Sequence, residues 1–123
     1  TTIHANSARD AVSRLENMVA MAGIEMPLKA VRSQVASAVN LIVQVSRLQD
    51  GSRRMVSITE VTGMEGDIIT MQEVFRFERT GMEPDGKING HFTGAGIRSH
   101  YSDRFRRWGY DLPTSIYDTV EGA

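Results

Sequence analysis

The hydrophobic period of this chain changes near Ala38, and that change limits what it can fold into. From Ser7 onward, Ala8, Val12, Leu15, Met18, Val19 and Ala22 recur at helical spacing. The spacing predicts an amphipathic helix, with Ser7 as its N-cap and Gly23 supplying the left-handed position just past its end. Pro27 is suited to be the first residue of a second helix, because its missing N–H would be unpaired there anyway. Leu28, Val31, Val35 and Ala38 give that helix one apolar stripe. Beyond Ala38 the pattern shortens to a period of two and the residues become β-branched.

The stretch "NLIVQVSRL" reads as a strand, and Asp50-Gly51 after it favours the positive φ of a hairpin turn. "RRMVSITEV" is the returning strand, and "TGMEGD" reads as a second turn. In "IITMQEVFRFE" the alternation predicts Ile69, Met71, Phe75 and Phe77 on one face. "INGHFTGAG" reads as at most a short strand among glycines. Tyr101, Phe105 and Trp108 then predict a short helix closed by Gly109, and the tail "YDLPTSIYDTVEGA" is expected to be loose or docked through Tyr110, Leu112 and Ile116. The expected fold is α/β, an α+β-like arrangement of two helices, an antiparallel three-strand meander and a small C-terminal helix.

At 123 residues, with neither linker nor repeat, the chain is expected to form one domain spanning 1–123. Its 41% hydrophobic and 24% charged residues are those of an ordinary globular chain, and a formal charge of -1 argues against a general nucleic-acid binder. With no cysteine there is neither a disulfide framework nor a thiolate metal site. No apolar run approaches the length of a bilayer-spanning helix, and the first residues lack the pattern of a secretory signal.

The chemistry centres on His4, which reads as lying where a strand ending at Thr2 and Ile3 gives way to the first helix. Ligands favour the carboxyl ends of strands in α/β sheets, and an imidazole there could stabilise or sense a phosphate. A histidine at such a junction could equally do no more than bond nearby backbone. His91 and His100 lack a partner at ligand spacing, so no metal site is expected. "RFRR", Arg104 to Arg107, reads as a solvated helix face, Arg53 and Arg54 as edge-strand charges, and the seven methionines as core filling. "GMEGD" and "TGAG" do not match a phosphate-binding G-x-x-x-x-G-K-[ST] loop and read as turns; no triad can be placed around Ser7.

"TTIHANSARDAVSRLENMVAMAG", "VRSQVASAVNLIVQVSRLQDGSRRMVSITEVTGMEGDIITMQEVFRFE" and the closing "GYDLP" together resemble the C-terminal part of the CpaF/TadA-type ATPases. Those ATPases power tight-adherence (Tad) secretion and Flp pilus assembly and belong with the type II and type IV secretion traffic ATPases. "TTIHANSARDAVSRL" resembles that superfamily's His box. The resemblance implies a RecA-like P-loop ATPase core in a hexameric ring, peripheral on the cytoplasmic side of the inner membrane. It also implies ATP and Mg²⁺ in the full-length parent, inner-membrane platform proteins as partners, and no nucleic acid.

The resemblance carries one functional position to this chain, His4, near the terminal phosphate and coupling nucleotide state to conformation. Arg14 matches an arginine common after the box and can pair with Asp10 one turn earlier. The P-loop, acidic box and Walker B segment would precede Thr1. The chain is therefore expected to be a fragment, inactive alone and binding no cofactor tightly, with an uncovered sheet edge that favours self-association or loosening near residues 1 to 22. A non-catalytic adaptor using the meander and the Arg104 to Arg107 helix is the alternative; a free-standing enzyme using His4 lacks a second catalytic group.

Overall fold

The computed structural model describes residues 1–120 of the chain. Two helices, α1 (Ala8–Met21) and α2 (Leu28–Ala38), precede four strands: β1 (Leu41–Arg47), β2 (Arg53–Glu65), β3 (Ile68–Met82) and β4 (Ile88–Gly94). A short helix α3 (Ser102–Arg107) and a 3-10 turn at Thr114–Tyr117 complete the described chain. The strands form one antiparallel sheet in the order β1-β2-β3-β4, so the fold is mixed helix and sheet with each strand beside its neighbour in sequence.

Local chemistry accounts for the helical half. Ser7 Oγ accepts from the Asp10 N–H at 3.0 Å, while Asp10 Oδ2 accepts from the Asn6 N–H at 2.9 Å. The first bond satisfies an N–H that the first turn leaves unpaired, and the second ties the residue before the cap back onto the helix. The Asn6 N–H, followed by the Arg14 guanidinium, holds the Asp10 carboxyl below its usual range. Gly23, with φ of 75°, ends α1. Pro27 is the N-cap of α2 rather than its first helical residue: its ψ of 144° is extended, and the helical backbone starts at Leu28.

Val12 on α1 and Val35 on α2 meet Val61 on β2 and Ile69 on β3, with Leu15, Ile42, Met64 and Met71 packed around them. Polar ties hold the helices to the β2–β3 hairpin. Arg9 donates to the Ile69 carbonyl at 2.8 Å, and Arg32 donates to Glu16 at 3.0 Å and to the Asp67 carbonyl at 3.1 Å.

The sheet departs from simple alternation, because pairing shifts by one residue four times. The most consequential shift lies between Ile58, opposite Phe75, and Thr59, opposite Glu73, which leaves Val74 as an extra residue on β3. A bulge of this kind reverses which face the following side chains occupy. Ile69 and Met71 therefore join the helix-side core, whereas Phe75 stacks on Tyr117 at 5.5 Å and Phe77 meets Phe92 edge-on at 5.5 Å. The single face expected for these four residues is split in two.

The second face is covered by the segment after β4. The Gly96 N–H donates to the Tyr117 carbonyl at 2.9 Å, the Val120 N–H to Thr93 Oγ1 at 2.6 Å, and His91 Nε2 lies 3.0 Å from the Val120 carbonyl. Gly94 permits this, since a Cβ there would collide with the Tyr117 backbone. The docking residue of the tail is thus Tyr117, which is buried, while Tyr110, Leu112 and Ile116 are exposed. The last three residues of the tail, 121 to 123, lie outside the described residues.

Other expectations need correction. "INGHFTG" is a full fourth strand because β3 runs far enough to pair with all of it. β2 continues through "TGME", so the second turn shrinks to Gly66-Asp67. Arg53 and Arg54 lie on an inner strand, and the Arg54 guanidinium sits 5.3 Å from the centre of the Phe77 ring. Only Met64 and Met71 pack against the core; Met18, Met21, Met26, Met55 and Met82 are exposed. Among the described residues no helix is long and apolar enough to cross a membrane.

Candidate functional site

His4 lies in Thr1–Ala5, which is neither helix nor strand, so the expected strand end is absent. An extended segment becomes a strand only when a neighbour takes up its backbone groups. One such group is met here: Gln44 on β1 donates its side-chain N–H to the Ala5 carbonyl at 2.9 Å. The segment runs beside β1 and bounds a groove of about 360 Å³, lined by Thr1–Ala5, Ala11, Leu15 and Val39 and by Leu41–Val45. His4 lines this groove and is exposed. Its neighbours in sequence are well fixed, with Ser7 capping α1 and the Arg14 guanidinium 3.1 Å from Asp10.

β1 is an edge of the sheet, and Leu41, Val43 and Val45 are exposed along it. An edge presents unpaired N–H and C=O groups as well as side chains, so it is suited to receive another strand.

A second constellation escaped the sequence reading. Glu60 on β2 is 1% exposed, among the most buried side chains in the chain. Its Oε1 accepts from the Ser99 hydroxyl, and its Oε2 accepts from Gln72 Nε2 at 3.0 Å, the His100 N–H at 3.2 Å and His100 Nδ1 at 2.7 Å. Burial pushes the Glu60 carboxyl up, but the Ser99, Gln72 and His100 hydrogen bonds together outweigh it and leave it below the ordinary glutamate value. The carboxylate stays ionised and can only accept. Nδ1 of His100 therefore donates to it, which fixes the orientation of the ring.

Nothing in sequence spacing joins Glu60, Gln72 and Ser99-His100, which antiparallel pairing and the turn back after β4 bring together. A glutamate in the middle of "SITEV", where alternation places a cross-sheet partner of Gln72, was the one available signal.

No family model matches the chain. It is 33% identical over 67 residues to two proteins named for conjugal transfer, from Mycobacterium tuberculosis strains CDC 1551 / Oshkosh and ATCC 25618 / H37Rv. The aligned region takes in 54% of this chain and 18% of each relative, so the similarity reaches a small part of a longer protein.

Proposed function

We propose that this chain is the C-terminal part of an ATP-hydrolysing motor of the Tad secretion and Flp pilus assembly type. In this reading it supplies His4 to a nucleotide site whose phosphate-binding loop and acidic residues come from sequence outside it. The observation that carries the reading is the setting of His4. An exposed imidazole stands in an irregular segment just before a firmly capped helix, beside an open groove and an unpaired, apolar β1 edge. A larger sheet adding a strand at β1 would bury Leu41, Val43 and Val45 and bring further groups up to His4.

The similarity to proteins named for conjugal transfer supports a secretion context. Within it, the parent assembles as a homo-oligomeric ring at the cytoplasmic face of the inner membrane, takes ATP with Mg²⁺ and passes conformational change to membrane platform proteins. His4 then acts as a positioning and sensing group for the terminal phosphate, with its hydrogen bonds changing on hydrolysis.

The test uses two proteins. On the isolated chain, ATP with and without Mg²⁺ is titrated while NMR follows the His4 ring and the amides of Ala5 to Ala8; no saturable shift is expected at millimolar nucleotide. In the parent protein, His4→Ala is expected to lower turnover at least tenfold with nucleotide affinity little changed. Saturable, Mg²⁺-dependent shifts on the isolated chain would show that it holds nucleotide by itself and would overturn the account. Full turnover in the variant parent would remove His4 from the site.

A further inference from the structure

Beyond the His4 groove, a second organised surface starts at the buried carboxylate. Glu60 fixes His100, whose side chain is 43% exposed, and the imidazole packs on the Tyr101 ring with centres 4.0 Å apart. The Arg104 guanidinium lies 5.7 Å from the centre of the Tyr101 ring and 5.7 Å from that of Trp108. The result is a ladder of imidazole, phenol, guanidinium and indole. It ends on a tryptophan that is 64% exposed.

Three physical points assign a partner to this ladder. Tryptophan, tyrosine and arginine dominate the energetics of protein contacts, and side chains held in place beforehand lose less freedom when they bind. A guanidinium that stacks through its faces still presents its N–H edge to a carboxylate. Arg98 and Arg106 are already paired with Asp103 and Asp111, at 3.0 and 3.9 Å, whereas Arg107 has no ion-pair partner among the described residues.

The same carboxylates select the class of partner. Asp103 and Asp111 are exposed next to the ladder, so a bilayer or a nucleic-acid backbone, with negative charge spread over a wide surface, would meet them as well as the arginines. A single chain can place one carboxylate and avoid the rest. At six residues, α3 also offers too little apolar face to lie in a membrane interface.

We propose that the ladder from His100 to Trp108 is a docking surface for a short acidic segment of a partner protein. A carboxylate of the segment sits on Arg104 and Arg107, and a neighbouring apolar side chain covers the open face of Trp108. The inference does not rest on nucleotide binding by this chain or its parent.

Trp108 is the sole tryptophan, so its fluorescence reports on the surface directly. The probe is a ten-residue peptide alternating aspartate or glutamate with leucine and phenylalanine, titrated into the full chain. The same peptide with lysine in place of the acids, phosphatidylglycerol vesicles and a fifteen-residue single-stranded oligothymidine are titrated alongside. The acidic peptide is expected to give a saturable change in fluorescence and a shift of the Trp108 indole N–H. Affinity should fall at least tenfold in Arg104→Ala and at least threefold in Arg107→Ala, an exposed site whose variant keeps the dispersed NMR spectrum of the fold. Absence of saturation with the acidic peptide, an equal response to the lysine peptide, or affinity unchanged in both variants would overturn the proposal. Tighter binding of vesicles or oligonucleotide would overturn it too, by assigning the surface to another class of partner.

Discussion

Glu60 and Asp50 are both carboxylates held by several donors, and they differ in what those donors join. Asp50 accepts from Ser52 Oγ at 2.5 Å, the Ile88 N–H at 2.9 Å and the Ser52 N–H at 2.9 Å, which lower its pKa to about 2. It clasps the β1–β2 turn to the start of β4, while Glu60 clasps β2 to the Ser99-His100 corner. Because each native pKa lies below the ordinary value of its group, each contributes stability that is fully present above the unfolded value and is lost as pH falls through the native one. The expected acid limb runs below the ordinary value of 4.5 for Glu60 and from 3.8 to about 2 for Asp50. Urea unfolding at a series of pH values should show this limb, and Asp50→Asn should flatten its lower part. Glu60→Ala is expected to cost roughly 2 to 4 kcal/mol at neutral pH, because it leaves the Ser99 and Gln72 donors without an acceptor. The cap at Ser7 and the Arg14–Asp10 pair were legible in the sequence because i to i+3 and i to i+4 contacts are set by helix geometry alone. The Glu60 cluster was not, since Ser99 and His100 lie 39 and 40 positions further along the chain than Glu60.

Between elements, the same contrast holds. Both helices, the β1–β2 hairpin at Asp50-Gly51 and α3 closed by Gly109 follow from local pattern, and all are present. The division of β3 between two faces depends on the extra residue Val74, and alternation carries no mark of a bulge that a partner strand imposes. The mistaken grouping of Phe75 and Phe77 with Ile69 and Met71 follows from that one residue. It also concealed the docking of Tyr117, because a chain read as one-sided offers its tail nothing to cover. Gly94→Ala is expected to loosen the 95–120 segment while leaving the helix side intact, since the added methyl meets the Tyr117 backbone rather than a movable side chain. Hydrogen exchange should report this as faster exchange at Gly96, with protection retained at Val61 and Val39.

Across the whole molecule, exposed apolar side chains include two groups, Leu41, Val43 and Val45 along the β1 edge and Met18, Met21, Ile24 and Leu28 where α1 turns into α2. Such surfaces favour association. The chain is expected to self-associate as its concentration rises, and Val43→Lys should shift sedimentation toward the monomer because a charge on an edge strand opposes pairing. The placement of Glu60 beside Val61 has a further meaning. One residue belongs to the polar clasp over the second face and the next to the apolar core beneath the helices, a single peptide bond apart on an inner strand. The two sides of the sheet are thus not separate compartments. Both the clasp and the core hang from β2, a strand held by neighbours on both of its edges.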